Sequence, residues 1–143
     1  MTDVIVRSSQ AGLTQAIEVG KHRLVVDEPV DSGGADLGPN PYELLLAALG
    51  ACTSITVRLY ARRKGWPLEN VEVRLRHSRI HADDCVNCET QDVFLDKITK
   101  EIAFHGPLDA EQRQRLFAIA ERCPVQRTLQ REIRIEQVLL PQA

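Results

Sequence analysis

The chain has 143 residues, with 18 Lys and Arg against 20 Asp and Glu, a formal net charge of −2, and 43% hydrophobic against 27% charged residues. That length and mixture fit a folded chain that buries about 70% of the surface its unfolded form exposes, so residues 1–143 are expected to form a single domain without disulfide staples, and disorder is disfavoured. The even charge balance argues against nucleic acid or an anionic membrane as partner, and no run reads as the roughly 20 apolar residues of a membrane span.

In chain order, Val4 to Arg7 is short and strand-like. Thr14 to Val19 and His22 to Val26 flank Gly20-Lys21, a two-residue link of the kind that closes a hairpin, so the chain is expected to open with an antiparallel meander. Pro29 to Pro41 is dense in turn formers and reads as a loop. A long central helix is predicted from Tyr42 to about Lys64, with Asn40 as cap, Pro41 in the first turn, Glu43 complementing the helix dipole, and a stop at Gly65-Trp66-Pro67. Its stripe is read as Leu45, Ala48, Leu49, Cys52, Ile55 and Leu59, which puts Cys52 on the buried face.

Val71, Val73 and Leu75 alternate with charged residues as in a half-buried strand. Ile80 to Gln91 is polar. Ile98, Ile102 and Phe104 fit another strand ended by Gly106-Pro107, and Asp109 caps a second helix running to about Arg122, with stripe Leu116, Ile119, Ala120 and Cys123. Ile133, Ile135 and Val138 read as a closing strand. Strands, helix, strands, helix, strand is an α+β order.

Met1-Thr2-Asp3-Val4 shows neither a basic start nor an apolar targeting stretch, so a cytoplasmic location is expected. In that reducing compartment the four cysteines, Cys52, Cys85, Cys88 and Cys123, point to redox, catalytic or metal chemistry, or simply fill a core. Cys52 and Cys123 stand 71 positions apart on the inward stripes of the two helices. If those helices pack together the thiols can meet in an apolar pocket; spacing alone leaves open that each is only a small core residue.

The segments around them, Gly38-Pro39-Asn40-Pro41-Tyr42-Glu43-Leu44-Leu45-Leu46-Ala47-Ala48-Leu49-Gly50-Ala51-Cys52-Thr53 and Glu121-Arg122-Cys123-Pro124-Val125, resemble the OsmC/Ohr superfamily, over nearly the whole chain and in the same order. The resemblance implies an OsmC-like fold in an intertwined homodimer that reduces hydroperoxides, preferably organic ones. It also implies a peroxidatic role for Cys52 and a resolving role for Cys123, with the disulfide reopened by a lipoyl-type dithiol or small thiol and no bound cofactor required. A thiolate attacking the O–O bond becomes a sulfenic acid, and condensation with a second thiol stops oxidation before its irreversible steps.

In the peroxidase branch an arginine pairs with a glutamate ten residues before the first cysteine. Here that position is Tyr42, and Glu43, nine residues before Cys52, lies roughly 180° around an ideal helix. Arg23 is the best arginine candidate, with Arg7 behind it. Gln126 follows Cys123-Pro124-Val125 where related sequences often have histidine, and glutamine cannot shuttle a proton near neutral pH.

Cys85-Val86-Asn87-Cys88, with His77 and His81 upstream, has enough ligands for a tetrahedral Zn²⁺ site. A redox disulfide and a polar hairpin with two unligated thiols are the competing readings. His22 and His105 read as structural; Gly33-Gly34 lacks the remaining residues of a phosphate loop, and no serine sits in a nucleophile elbow. Three functions stay in play: a thiol-dependent peroxidase; a non-catalytic redox sensor or binder of hydrophobic ligands; and a metal-binding protein organised by Cys85 and Cys88.

Overall fold

The computed structural model describes residues 2–81 and 94–141. Its elements follow as β1 (Val4–Ser8), β2 (Gln15–Val19), β3 (His22–Val26), α1 (Pro41–Lys64), β4 (Asn70–His81), β5 (Phe94–His105), α2 (Ala110–Ala120) and α3 (Pro124–Leu129), an α+β order as expected. They divide into two compact units, one of Met1–Ala48 with Leu75–Thr99, the other of Leu49–Arg74 with Lys100–Ala143.

The first unit holds the expected meander, an antiparallel sheet ordered β1-β2-β3. Gly20 turns the β2–β3 hairpin at φ 56°, a conformation glycine adopts without steric cost, and sets Val19 opposite His22. The loop after β3 is organised by one carboxylate. Asp27 is buried and accepts from Glu28 N at 2.8 Å, Thr14 Oγ1 at 2.9 Å, Leu37 N at 3.2 Å and Ala35 N at 3.3 Å. Those donors, the Glu28 amide above all, hold its carboxyl below the usual range. Gly34 is fixed by space, since a Cβ there would collide with the Glu28 carbonyl.

Helix α1 opens with a reciprocal cap: Glu43 N donates to Asn40 Oδ1 at 2.8 Å, and Asn40 N donates to Glu43 Oε1 at 3.3 Å. It ends on Arg62, Arg63 and Lys64, cations at the negative end of the dipole. By length and composition α1 could cross a bilayer, which corrects the sequence reading that no run could. The core helix of a soluble protein passes the same test.

Within the second unit the buried face of α1 is Leu49, Gly50, Thr53, Val57 and Ala61, which shares only Leu49 with the predicted stripe. Ile55 and Leu59 are about half exposed, at 58% and 50%. Val57 and Ala61 join Leu108, Leu116 and Ala120 in the core, flanked by Tyr60, Trp66, Leu68, Val71, Ile102 and Phe104. Strands β4 and β5 pair with each other. The Arg113 guanidinium on α2 donates to the carbonyls of Phe104 and Gly106, tying the end of β5 to the helix that follows.

Two further expectations are corrected. The second helix stops at Ala120, and Cys123 lies beyond it as the N-cap of α3, because the residue before a proline is driven out of helical geometry; its φ and ψ are −56° and 128°. The closing strand at Ile133 to Val138 is absent. Those residues lie exposed, Ile135 at 84%, and an alternating pattern becomes a strand only when an edge is there to pair with it.

Candidate functional site

The second unit brings together the two cysteines that the sequence singled out. Cys52 sits mid-way along α1, half-buried, beside the fully buried Thr53; Cys123 at the N-cap of α3 has no exposed surface. Both are free thiols, and they lie close enough for each to perturb the ionisation of the other.

Their environments differ in one decisive respect. Burial is the largest influence on each and favours the neutral thiol. At Cys123 four donors outweigh it: the Cys52 thiol, the Gln126 and Val125 amides and the Thr53 hydroxyl, so this thiol is shifted down. At Cys52 burial prevails, reinforced by the hydrogen bond to Cys123 and by its charge, against donation from the Val125 amide and the Thr56 hydroxyl; this thiol is shifted up. The two shifts run in opposite directions, so of the pair Cys123 ionises the more readily.

Local sequence explains the donors. Pro124 at the first position of α3 fixes φ and carries no N–H, so the next two amides, of Val125 and Gln126, are the unpaired ones at that helix end. Thr53 Oγ1 donates to the Leu49 carbonyl at 2.9 Å or to Cys123, and Thr56 Oγ1 lies 2.8 Å from the Cys52 carbonyl as well as against its thiol. Gln126 contributes its amide, while its side-chain Oε1 is buried with no hydrogen-bond partner among the described residues.

Sequence reasoning missed Lys100. Its ammonium donates to Thr53 Oγ1 at 3.0 Å and to the Ala120 carbonyl at 3.2 Å. Burial lowers its pKa most, while the charges of Cys123, Glu121 and Cys52 pull the other way. The signal was available: Ile98, Lys100, Ile102 and Phe104 share one face of β5, and a lysine among inward apolar positions needs a reason.

The nominated Arg23 and Glu43 are occupied in the first unit. Arg23 Nη1 donates to the carbonyls of Gly20 and His22 at 2.9 and 3.0 Å, and its Nε lies 3.8 Å from Glu18, whose closer partner is Arg7 at 2.7 Å. Glu43 closes the α1 cap. His77, proposed as a zinc ligand, bonds through Nε2 to Asp96 Oδ1 at 2.8 Å and stacks on Tyr42 with ring centroids 4.8 Å apart. Cys85 and Cys88 lie outside the described residues, as does the side chain of His81. Among the described residues no group of three or more His, Cys, Asp or Glu could hold a metal ion.

A family model described as OsmC-like protein matches residues 33–138. No curated protein matches the chain. Similar solved structures include an OsmC like protein from Mycoplasma pneumoniae (TM-score 0.71, 20% identity, 91% of this chain and 87% of that one). Another is an organic hydroperoxide resistance protein OsmC from Legionella pneumophila (TM-score 0.64, 22% identity, 91% and 89% covered). A third is the organic hydroperoxide resistance protein OhrB of Bacillus subtilis (TM-score 0.60, 20% identity, 91% and 90% covered). At these identities the likeness establishes the fold.

Proposed function

The chain belongs to the OsmC-like family, and from that premise we propose that it is a thiol-dependent peroxidase that reduces organic hydroperoxides with Cys52 and Cys123. The observation that carries the reading is the closeness of the two free thiols inside the second unit, where each perturbs the other.

In this reading the Cys123 thiolate takes the Cys52 proton as the Cys52 sulfur attacks the distal peroxide oxygen. The O–O bond breaks, Cys52 becomes a sulfenic acid, and the departing alkoxide takes the proton from Cys123 and leaves as the alcohol. The regenerated Cys123 thiolate then attacks the sulfenic sulfur, forming the disulfide and releasing hydroxide, which is protonated to water. The two electrons that reduce the peroxide come from the thiol pair, and a dithiol, lipoyl-type or small, restores them by exchange. The amides of Val125 and Gln126 and the hydroxyls of Thr53 and Thr56 supply the hydrogen bonds. No bound cofactor is needed, and a reducing, cytoplasmic setting keeps the pair charged with electrons. Zinc at Cys85 and Cys88, with His77 and His81, would be accessory to this chemistry; elemental analysis of wild type and Cys85→Ser tests it.

A homodimer belongs to the same reading. Ile55 and Leu59 on α1 and the apolar run Ile133 to Leu140 leave surface that a second copy would cover.

The test is stopped-flow consumption of cumene hydroperoxide by wild type and Cys52→Ser; equal rates would sink the reading. The raised Cys52 thiol favours one alternative, a redox sensor that is oxidised once. Sustained turnover with excess dithiol separates the enzyme from the sensor.

A further inference from the structure

We propose that Lys100 is the charge partner of the thiol pair, its ammonium placed behind Cys123 by its bonds to the Thr53 hydroxyl and the Ala120 carbonyl. This rests on reading Cys52 and Cys123 as a working thiol pair.

The relay follows from the geometry. Thr53 Oγ1 accepts from Lys100 Nζ at 3.0 Å, which leaves its single proton for the Leu49 carbonyl at 2.9 Å or for the Cys123 sulfur. A bond to an ionised acceptor is about twice as strong as one between neutral groups, so an ionised Cys123 draws that proton away from the carbonyl. The second bond of Lys100, to the Ala120 carbonyl, pins the ammonium three residues before Cys123.

The charged and titratable groups acting on the ammonium come from three directions: Cys52 on α1, Glu121 directly after α2, and Cys123 itself, the strongest of them. Thr53 has no exposed surface, so water does not compete for its hydroxyl. Lys100 touches neither sulfur in this scheme; it positions the hydroxyl that does and supplies the charge behind it.

The test uses the reduced full-length protein without peroxide. The Cβ chemical shifts of isotopically labelled cysteines, assigned by single Cys→Ser variants, are followed against pH so that each thiol is read separately. At the wild-type midpoint of Cys123, Lys100→Met is expected to lower its ratio of ionised to protonated form about tenfold, the lower end of what losing an adjacent opposite charge produces. Lys100→Arg should restore most of that ratio. Thr53→Val, close in shape and with Lys100 intact, should lower it as well, and Thr53→Ser should recover it.

A Cys123 titration unmoved in Lys100→Met would overturn the proposal. So would an unmoved titration in Thr53→Val, which decides the matter if Lys100→Met does not fold. The outcome is separable from the proposed function. A protein that consumes no peroxide but shows the Lys100-dependent titration keeps this inference and loses the peroxidase; steady turnover with an unmoved titration does the reverse.

Discussion

Oxidation should stabilise this protein by an amount that identifies which cysteines have joined. A bond between Cys52 and Cys123, 71 positions apart, closes a long loop in the unfolded chain. Chain-entropy arithmetic gives about 4 kcal/mol for a loop of that length, as a ceiling reached when the native geometry accepts the bond without strain. The thiols are already close enough to perturb each other, so they are neighbours before they join. For a chain of this size, about 4 kcal/mol corresponds to a rise in Tm of roughly 12 °C. A bond between Cys85 and Cys88, three positions apart, would give about half as much by the same arithmetic. The assay is calorimetry of protein treated with one equivalent of cumene hydroperoxide, with and without dithiothreitol, the linkage being read by peptide mass spectrometry. Cys52→Ser should lose the redox dependence. A verified Cys52–Cys123 link with no rise in Tm would refute the reasoning.

Three further outcomes are expected. Leu116→Ala, at a side chain with no exposed surface, should cost about 3 kcal/mol in urea titration through lost burial and the cavity left behind. Asp27 has a carboxyl pKa lowered by folding, so its contribution is present above the ordinary carboxylate range and is lost as pH falls through the lowered folded value; Asp27→Asn should flatten the acid limb of the stability profile. Gln126→Met removes a buried acceptor that has no partner among the described residues and should leave stability unchanged or raise it by about 1 kcal/mol; a clear loss in the denaturant midpoint would mean that Oε1 is satisfied after all.

What the sequence made legible was local. Asn40 with Glu43 marks one helix start and Asp109 the other, the latter a full capping box with Gln112, because caps join residues three apart. The hairpin at Gly20-Lys21 is equally local. The rest depends on which surfaces meet. Helix α1 carries apolar residues on more than one face, so periodicity selected Leu45, Ile55 and Leu59 along with Leu49, while packing keeps Leu49 and adds Thr53, Val57 and Ala61. Thr53 was invisible to a hydrophobic count although it is the residue through which Lys100 reaches the site. The strand read at Ile133 to Val138 failed for the same reason: a strand is defined by a partner that no stretch of sequence names.

The position of Cys123 brings the two kinds of information together. Read as the last residue of an apolar stripe, it is a hydrophobe in a core, and burial alone would keep it protonated. Read with the proline that follows, it is the residue a proline forces out of the helix, and the Val125 and Gln126 amides that follow favour its ionised form against burial. The thiol is thus shifted down in spite of its burial, and it is the one that the chain places outside α1. Cys52 is half-buried and Cys123 enclosed, so in the proposed peroxidase the substrate meets Cys52 first and Cys123 stands behind it.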